Sequence, residues 1–199
     1  MTFPVRLPGR RDAQATRRRL LGAALELFTT IGFRATTTPM LAERAGIAEG
    51  TIYRHFTGKD ELLNVAYAEV QAWALAILQE PAASRSTPAD QLRQVGRRLF
   101  EEAARNAATV RMFFRRGDER YLDDASRAAG QRVREALALI VASGKSDGLV
   151  RSGPAELWAA VWLALVGFAA ERIAGGEWTP EHAQATLVLD AAWDAIAAR

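Results

Sequence analysis

One stretch decides how the N-terminal part of this chain is interpreted: Gly46-Ile47-Ala48-Glu49-Gly50-Thr51-Ile52-Tyr53-Arg54-His55-Phe56. Gly46 is suited to ending one helix, and the residues from Ala48 to about His55 are expected to form a second, short helix. The expected outer face of that helix carries hydroxyl, aromatic and cationic groups, which suit phosphates and base edges. The stretch therefore predicts a helix-turn-helix over about residues 37–56, whose second helix enters the major groove of DNA.

Another amphipathic helix is predicted upstream, and Gly32 is expected to end it. Thr37 or Thr38 is expected to cap the supporting helix of the helix-turn-helix; with Thr38 as the cap, Pro39 falls at the first helical position. These elements predict a head of three helices. The apolar residues of the upstream helix recur on one face, at Leu20, Ala24, Leu27, Phe28 and Ile31.

The rest of the chain is also predicted to be helical, because no segment alternates apolar and polar residues as a strand does. A long helix is expected from about Lys59 to Gln79, followed by a loop from Pro81 to Pro88. Breaks are expected at 143–148 and at Gly175-Gly176. The fold class is thus predicted to be all-α with about nine helices, the last five lying roughly at 89–104, 107–116, 122–142, 154–174 and 180–198.

Positive charge is concentrated at the N-terminus. Residues 1–60 contain ten Lys and Arg against five Asp and Glu, a net of +5, whereas the whole chain carries +3. Residues 61–199 therefore carry −2. A basic head on a slightly acidic body is the electrostatic pattern of a nucleic-acid-binding protein. A solvated basic tail is the alternative, and charge alone leaves the two about even.

An enzyme is not expected, and neither is a cofactor or a metal. The chain has no cysteine and two histidines, from which no nucleophile–base pair or metal-ligand spacing can be assembled. Gly144-Lys145-Ser146 imitates the end of a phosphate-binding loop, but Leu139 stands where that motif needs glycine. The uncharged apolar run from Leu157 to Ala170 is shorter than the ~20 residues that cross a bilayer. We therefore expect a soluble, cytoplasmic protein with no membrane partner.

Residues from about 15 to 65 resemble the TetR family of one-component bacterial transcription regulators. The resemblance covers roughly a quarter of the chain by motif, and the remainder agrees in length, helicity and order. It implies a helix-turn-helix DNA-binding domain over 11–60 preceded by a flexible basic arm over 1–10, and a helical ligand-binding and dimerisation domain over 61–199. The matching pieces are Leu25-x-Leu27-Phe28, Gly32-Phe33-x-Ala35-Thr36-Thr37, Leu41-Ala42-x-x-Ala45-Gly46-Ile47, Gly50-Thr51-Ile52-Tyr53-x-His55-Phe56 and Lys59-Asp60-Glu61-Leu62-Leu63.

The resemblance also implies roles for single residues in binding a double-stranded DNA operator. Thr51 and Arg54 fall where base contacts usually arise. Two departures are Ala48 and Glu49, which replace a common Ser and a common basic or small residue. Glu49 is expected to complement the helix dipole in preference to accepting from cytosine N4, because a carboxylate near phosphates is costly. The positions that usually contact phosphate are Thr37 or Thr38, Tyr53, His55 and Lys59, and Gly50 completes the predicted surface.

The C-terminal helices are expected to hold a dimer interface and a pocket for an unknown small-molecule effector. The helix at 154–174 is apolar nearly all round, so it must be buried on several sides. With the last helix it resembles the family's contribution to a four-helix homodimer interface, with an ordinary monomer core as the alternative. The interface candidates are Leu165, Phe168, Leu187 and Trp193, and the pocket candidates, which could equally be core, are Trp73, Phe100, Phe113, Phe114 and Trp162.

Two functional hypotheses follow. In the first, a dimeric repressor binds a palindromic operator and is released by a small apolar or amphipathic ligand. In the second, the chain binds DNA while its helical body docks a protein partner instead of a ligand. A sizeable internal cavity favours the first hypothesis, and a filled core with an exposed apolar patch favours the second.

Overall fold

The computed structural model describes residues 10–82, 86–115 and 119–198. Within these ranges the chain forms nine α-helices, one short 3-10 helix at Glu119–Tyr121 and no strand, which confirms the all-α prediction. The predicted basic arm lies outside the described residues, apart from Arg10, which begins the first helix. The helices are α1 (Arg10–Thr30), α2 (Thr38–Ala45), α3 (Glu49–Ile52), α4 (Lys59–Ala82), α5 (Pro88–Arg105), α6 (Ala107–Phe114), α7 (Asp124–Ser146), α8 (Ala155–Ala174) and α9 (Ala183–Asp194).

The chain divides into two compact units, residues 1–66 and residues 67–199. The division falls inside α4, because the apolar residues of its first two turns belong to the core of the first unit: Leu62, Leu63 and Ala66 are fully buried. This boundary lies six residues beyond the predicted domain boundary at 60/61. We call residues 1–66 the head and residues 67–199 the body.

Close packing of α1 against α2 and its loop forms the core of the head. Leu20, Ala24 and Phe28 of α1 are fully buried, as the apolar spacing predicts. The Phe28 ring meets the ring of Phe33 edge to face, with centroids 5.3 Å apart. Ile31 departs from the expected stripe and is 45% exposed, because α1 ends at Thr30, before this residue, and the backbone turns at Gly32.

The supporting helix begins and ends at two well-defined caps. The side chain of Thr37, not Thr38, caps α2 by accepting a hydrogen bond from the backbone N–H of Met40 at 3.4 Å. At the other end Gly46 adopts φ +64°, the left-handed conformation that favours glycine, and its N–H bonds to carbonyls of the last turn. Both ends of α2 thus follow from residues that the sequence singles out.

The second helix of the motif is shorter than predicted. Its α-helical part, α3, ends at Ile52, and Tyr53, Arg54 and His55 form a tight turn rather than a continuing helix. In that turn the N–H of Arg54 bonds to the carbonyl of Thr51 and the N–H of His55 to that of Ile52, at 3.2 and 2.9 Å. These are three-residue spacings, which tighten the end of a helix. The predicted helix to His55 is therefore about three residues too long.

The core of the body is built around α8, which packs against α5, α6, α7 and α9. Trp162, Val166 and Ala169 on its inner face are buried. By length and composition alone α8 could cross a membrane, with a mean hydropathy of 1.5, a property it shares with core helices of soluble proteins. The sequence prediction considered only the uncharged run from Leu157 to Ala170, and it therefore understates how apolar the whole helix is.

Two predicted breaks in the body begin a few residues later than expected. Helix α4 continues through Pro81 to Ala82, where a loop is expected. Helix α7 continues to Ser146, because Gly144 allows other residues to pack closely against the helix and does not form a turn. A Cβ at this position would lie 3.0 Å from Val150 and 3.2 Å from Pro88. The chain leaves the helical conformation only afterwards, at Gly148, whose φ is +72°.

Candidate nucleic-acid interface and helical cavity

In α3 and the turn after it, buried side chains are interspersed with exposed ones. Ile52 and Phe56 are buried in the head core. Between them, Tyr53 is 57% exposed and Arg54 is exposed, while His55 is half-buried. An aromatic hydroxyl and a guanidinium therefore project from the head side by side, in an arrangement that can donate to phosphate oxygens and base edges.

An arginine of α1 supports this turn from behind. The Arg17 guanidinium lies 4.5 Å from the centre of the Phe56 ring, and its Nη1 lies 3.5 Å from the carbonyl oxygen of His55. Sequence reasoning counted Arg17 only as part of the basic charge of the N-terminus. Its spacing from His55 along the chain carries no signal of this contact.

The two threonines predicted to contact phosphate both have partners within the head. Thr37 uses its side-chain oxygen to cap α2. Thr38 donates from Oγ1 to Glu49 Oε1 at 3.1 Å, so the first residues of α2 and α3 are joined by a side-chain hydrogen bond. Glu49 thus lies in the first turn of α3, where a carboxylate is favourable to the helix dipole.

The side chain of Lys59 is fixed by contacts within the head, whereas a lysine that only binds phosphate would extend freely into solvent. Its Nζ donates to the carbonyl oxygens of Phe33 and Thr36 at 3.0 and 2.9 Å, and it lies 4.4 Å from the centre of the Phe33 ring. These bonds use two of the three ammonium hydrogens. Lys59 therefore fastens the loop between α1 and α2 to the start of α4, with one N–H left for another acceptor.

Helix α4 begins with a second local network, between Thr57 and Glu61. The backbone N–H and the hydroxyl of Thr57 donate to Glu61 Oε2 at 2.5 and 2.8 Å. The hydrogen bond from the backbone N–H, followed by that from the hydroxyl, lowers the pKa of the Glu61 carboxyl below its usual value. Arg17 lowers the pKa of this carboxyl further through its charge.

All nine residues of the predicted DNA surface lie in the head. Gly50 is notable because a Cβ added there would meet no atom within 4 Å, so nothing inside the chain requires glycine at this position. Contact of these residues with DNA stays a prediction. The exposed ones are Thr37, Glu49, Gly50, Tyr53 and Arg54, and the half-buried ones are Thr38, Thr51, His55 and Lys59.

The body contains a cavity of about 910 Å³. Its walls come from α4, α6, α7 and α8, and Phe113 and Phe114 are among them, as the pocket prediction includes. The other three aromatic candidates lie outside its walls, which corrects the predicted set. Phe100 and Trp162 are fully buried in the core, and Trp73 packs edge to face on Phe113 with centroids 6.2 Å apart.

The outer faces of α8 and α9 carry the predicted interface residues. Phe168 is 51% and Leu187 is 64% exposed, whereas Leu165 and Trp193 are half-buried. The Phe168 ring also meets Trp178 edge to face at 5.8 Å. Whether these surfaces meet a second copy stays a prediction.

A family model described as bacterial regulatory proteins, tetR family, matches residues 20–66, which form most of the head. The chain is also 37% identical over 70 residues to the HTH-type transcriptional regulator UidR of Escherichia coli strain K12. That stretch covers 35% of this chain and 36% of UidR, so the chain spans about a third of the length of this relative.

Solved structures extend the likeness over nearly the whole chain. A TetR family transcription regulator from Marinobacter aquaeolei VT8 matches with a TM-score of 0.78 at 21% identity, covering 96% of this chain and all of that one. The complex with triclosan of SmeT, the repressor of a Stenotrophomonas maltophilia multidrug efflux pump, matches with a TM-score of 0.70 at 24% identity, covering 93% of each chain. At these identities the likeness concerns the fold.

Proposed function

Because this chain belongs to the TetR family of DNA-binding transcriptional regulators, we propose that it is a repressor that binds a palindromic operator as a homodimer. A small molecule bound in the cavity of the body lowers its affinity for that operator. Catalysis has no part in this proposal, and the cytoplasm is the place where such a protein meets its DNA.

The exposed pair Tyr53 and Arg54 is the observation that carries the proposal. Both project from the helix-turn-helix, and the head that bears them has an excess of positive charge in its sequence. A guanidinium can pair with guanine O6 and N7, and a phenol can donate to a phosphate oxygen. We therefore assign base reading to Arg54 and the half-buried Thr51, and anchoring to Tyr53 and His55.

Dimerisation is supported by the apolar side chains on the outer faces of α8 and α9. Phe168 and Leu187 each leave more than half of a large apolar surface exposed, and a second copy would remove that surface from water. Two heads are also needed to reach operator half-sites one helical turn, about 34–36 Å, apart.

Release by a ligand is supported by the cavity in the body. Its volume of about 910 Å³ is within the range of roughly 300–1,000 Å³ that is typical of small-molecule sites. The structure of SmeT with triclosan shows that a protein of this fold has been found with a small molecule. A ligand that binds one conformation more tightly than another shifts the equilibrium between them, and operator affinity changes by linkage.

The DNA-binding part is tested with the duplex that lies upstream of the gene for this chain, by fluorescence anisotropy over a range of salt concentrations. Tyr53→Ala and Arg54→Ala are expected to weaken binding at least about tenfold, and each loses a contribution worth about 1–3 kcal/mol. Arg97→Ala, which removes an exposed cation from α5 in the body, is the matched control and is expected to bind normally. Normal binding by both head variants would overturn the assignment.

A dimer is tested by sedimentation velocity of the full chain. Leu187→Glu is expected to shift the dimer towards monomer, since it places a charge in the apolar contact. Leu149→Glu changes another exposed leucine that lies outside α8 and α9, and is expected to leave the dimer intact. A monomer in the unmodified chain would favour the second hypothesis, in which the same apolar surface docks a different protein.

A further inference from the structure

One polar side chain inside the cavity lacks a partner. Gln71 of α4 is only 4% exposed and forms part of the cavity wall. It makes no hydrogen bond to any residue that the structure describes. Because an amide brings two donors and an acceptor, it can pair with a polar group of a molecule that binds in the cavity.

A second polar group lies one helical turn before it. Tyr67 also forms part of the wall, and its hydroxyl lies close to the backbone of α7 at Gly130, where an added Cβ would be 2.5 Å from the hydroxyl oxygen. Glycine at 130 is therefore what allows the phenol to occupy this place. Tyr67 and Gln71, four residues apart on one helix, present their polar groups to the same side of the cavity.

The charged residues of the cavity all lie on its exposed margin. Arg134, Glu135 and Glu156 line it, and each of the three is exposed. The guanidinium of Arg134 is engaged with Gln131 on the same helix, through bonds of 3.1 and 2.7 Å. The buried wall thus consists of apolar side chains and neutral polar groups. Among the described residues that line the cavity, the one cation, Arg134, has its Nη1 3.4 Å from where a Cβ at Gly130 would lie, near the Tyr67 hydroxyl.

We propose that the cavity binds an uncharged, mainly apolar molecule whose carbonyl or hydroxyl group pairs with the side-chain amide of Gln71. This inference rests on the proposed function, for which it names the class of ligand. A carboxylate or an ammonium placed against the neutral amide of Gln71 would lose hydration without an ion pair from that residue, which is unfavourable. A neutral carbonyl accepts from the amide N–H₂, and a neutral hydroxyl can donate to its oxygen as well.

The test compares three molecules of nearly equal shape: 2-acetylnaphthalene, 2-ethylnaphthalene and 2-naphthoate. Their binding to the full chain, without DNA, is measured by isothermal titration calorimetry at pH 7. The ketone is expected to bind about three- to tenfold more tightly than the hydrocarbon, which is the effect of one neutral hydrogen bond. The carboxylate is expected to bind most weakly.

Gln71→Leu is the decisive variant, because leucine keeps the size of the side chain and removes the amide. The preference for the ketone over the hydrocarbon is expected to disappear, because leucine cannot pair with the carbonyl group. Gln131→Leu removes an exposed amide from the margin of the same cavity. This control variant is expected to prefer the ketone over the hydrocarbon as strongly as the unmodified chain does.

Three results would overturn the inference: tighter binding of the carboxylate than of the ketone, an unchanged preference in Gln71→Leu, or no saturable binding of the ketone. Each of them concerns the protein without DNA. Failure of the proposed function would appear elsewhere, as normal binding of the ketone without any change in affinity for the operator duplex.

Discussion

The ammonium of Lys59 lies 3.0 Å from the carbonyl oxygen of Phe33 and 4.4 Å from the centre of the ring of the same residue. One side chain thus satisfies a carbonyl and covers an aromatic face of the loop that connects α1 to α2. A residue that the family resemblance marks as a phosphate contact is also part of the framework of the head. Its substitution will therefore change stability as well as DNA binding.

Lys59→Met is expected to lower the free energy of unfolding by about 1–3 kcal/mol, because two backbone carbonyls lose a charged donor. Urea denaturation followed by circular dichroism measures the change. Arg34→Met, which removes an exposed cation from the same loop, is the control and is expected to be nearly neutral. Unfolding of Lys59→Met at the same urea concentration as the unmodified chain would contradict a stabilising role for the ammonium.

Glu49 is expected to weaken DNA binding in general, because its carboxylate lies on the surface that is predicted to meet the phosphates. Glu49→Gln should strengthen binding to operator and unrelated duplex alike by about two- to fivefold, the effect of one exposed charge. Anisotropy titrations at a fixed salt concentration measure both affinities. Thr38→Val removes the 3.1 Å hydrogen bond from Thr38 to Glu49 but keeps the charge of Glu49. It therefore separates the effect of the charge from the effect of the hydrogen bond. A loss of operator binding alone in Glu49→Gln would instead indicate that Glu49 reads a base.

Gly50→Ala is expected to fold normally and to bind the operator at least about tenfold more weakly, since a Cβ there meets no atom of the chain but would meet a closely approaching DNA backbone. In a helix the same change favours folding by roughly 0.5–1 kcal/mol. Gly22→Ala in α1 also adds a Cβ in open space and is the matched control. Undiminished binding by Gly50→Ala would mean that the DNA does not come close to this residue.

Glu61 is expected to make the head sensitive to acid. Hydrogen bonds from Thr57 lower its pKa in the folded state below the usual 4.5, so the carboxylate stabilises the fold above that pH and loses this effect as the pH falls through the lowered value. The difference in melting temperature between the unmodified chain and Glu61→Gln should therefore shrink between pH 6 and about pH 3. Glu43→Gln, which removes an exposed carboxylate from α2, is the matched control. A constant difference for Glu61→Gln would show that Thr57 does not favour its charged form.

Most of the fold could be predicted because helices of this length repeat apolar residues regularly and end at recognisable caps. Gly46 ends α2, and the apolar stripe of α1 places Leu20, Ala24 and Phe28 in the core of the head as their spacing indicates. The end of α3 could not be predicted, because Tyr53 to His55 carry no residue that stops a helix and the turn depends on burial of Ile52 and Phe56.

The cavity could be predicted only in part, because its composition depends on how helices distant in sequence pack. Phe113 and Phe114 line it, but the sequence does not distinguish them from Phe100 and Trp162, which fill the core. Gln71 could have been noticed as a polar residue beside Val70 on an apolar stripe. Its lack of a partner, however, is visible only when the opposing helices are in place.

The distribution of charge between head and cavity makes the two binding events respond to different solution conditions. Operator binding is expected to weaken steeply as salt rises, because cations of the head displace counterions from the phosphates. A neutral ligand held by apolar walls and an amide should bind almost equally at low and high ionic strength. The ligand concentration that frees half of the operator will therefore fall as salt rises, although affinity for the ligand itself does not change. An osmotic rise in intracellular potassium and a dose of the ligand would act on gene expression in the same direction.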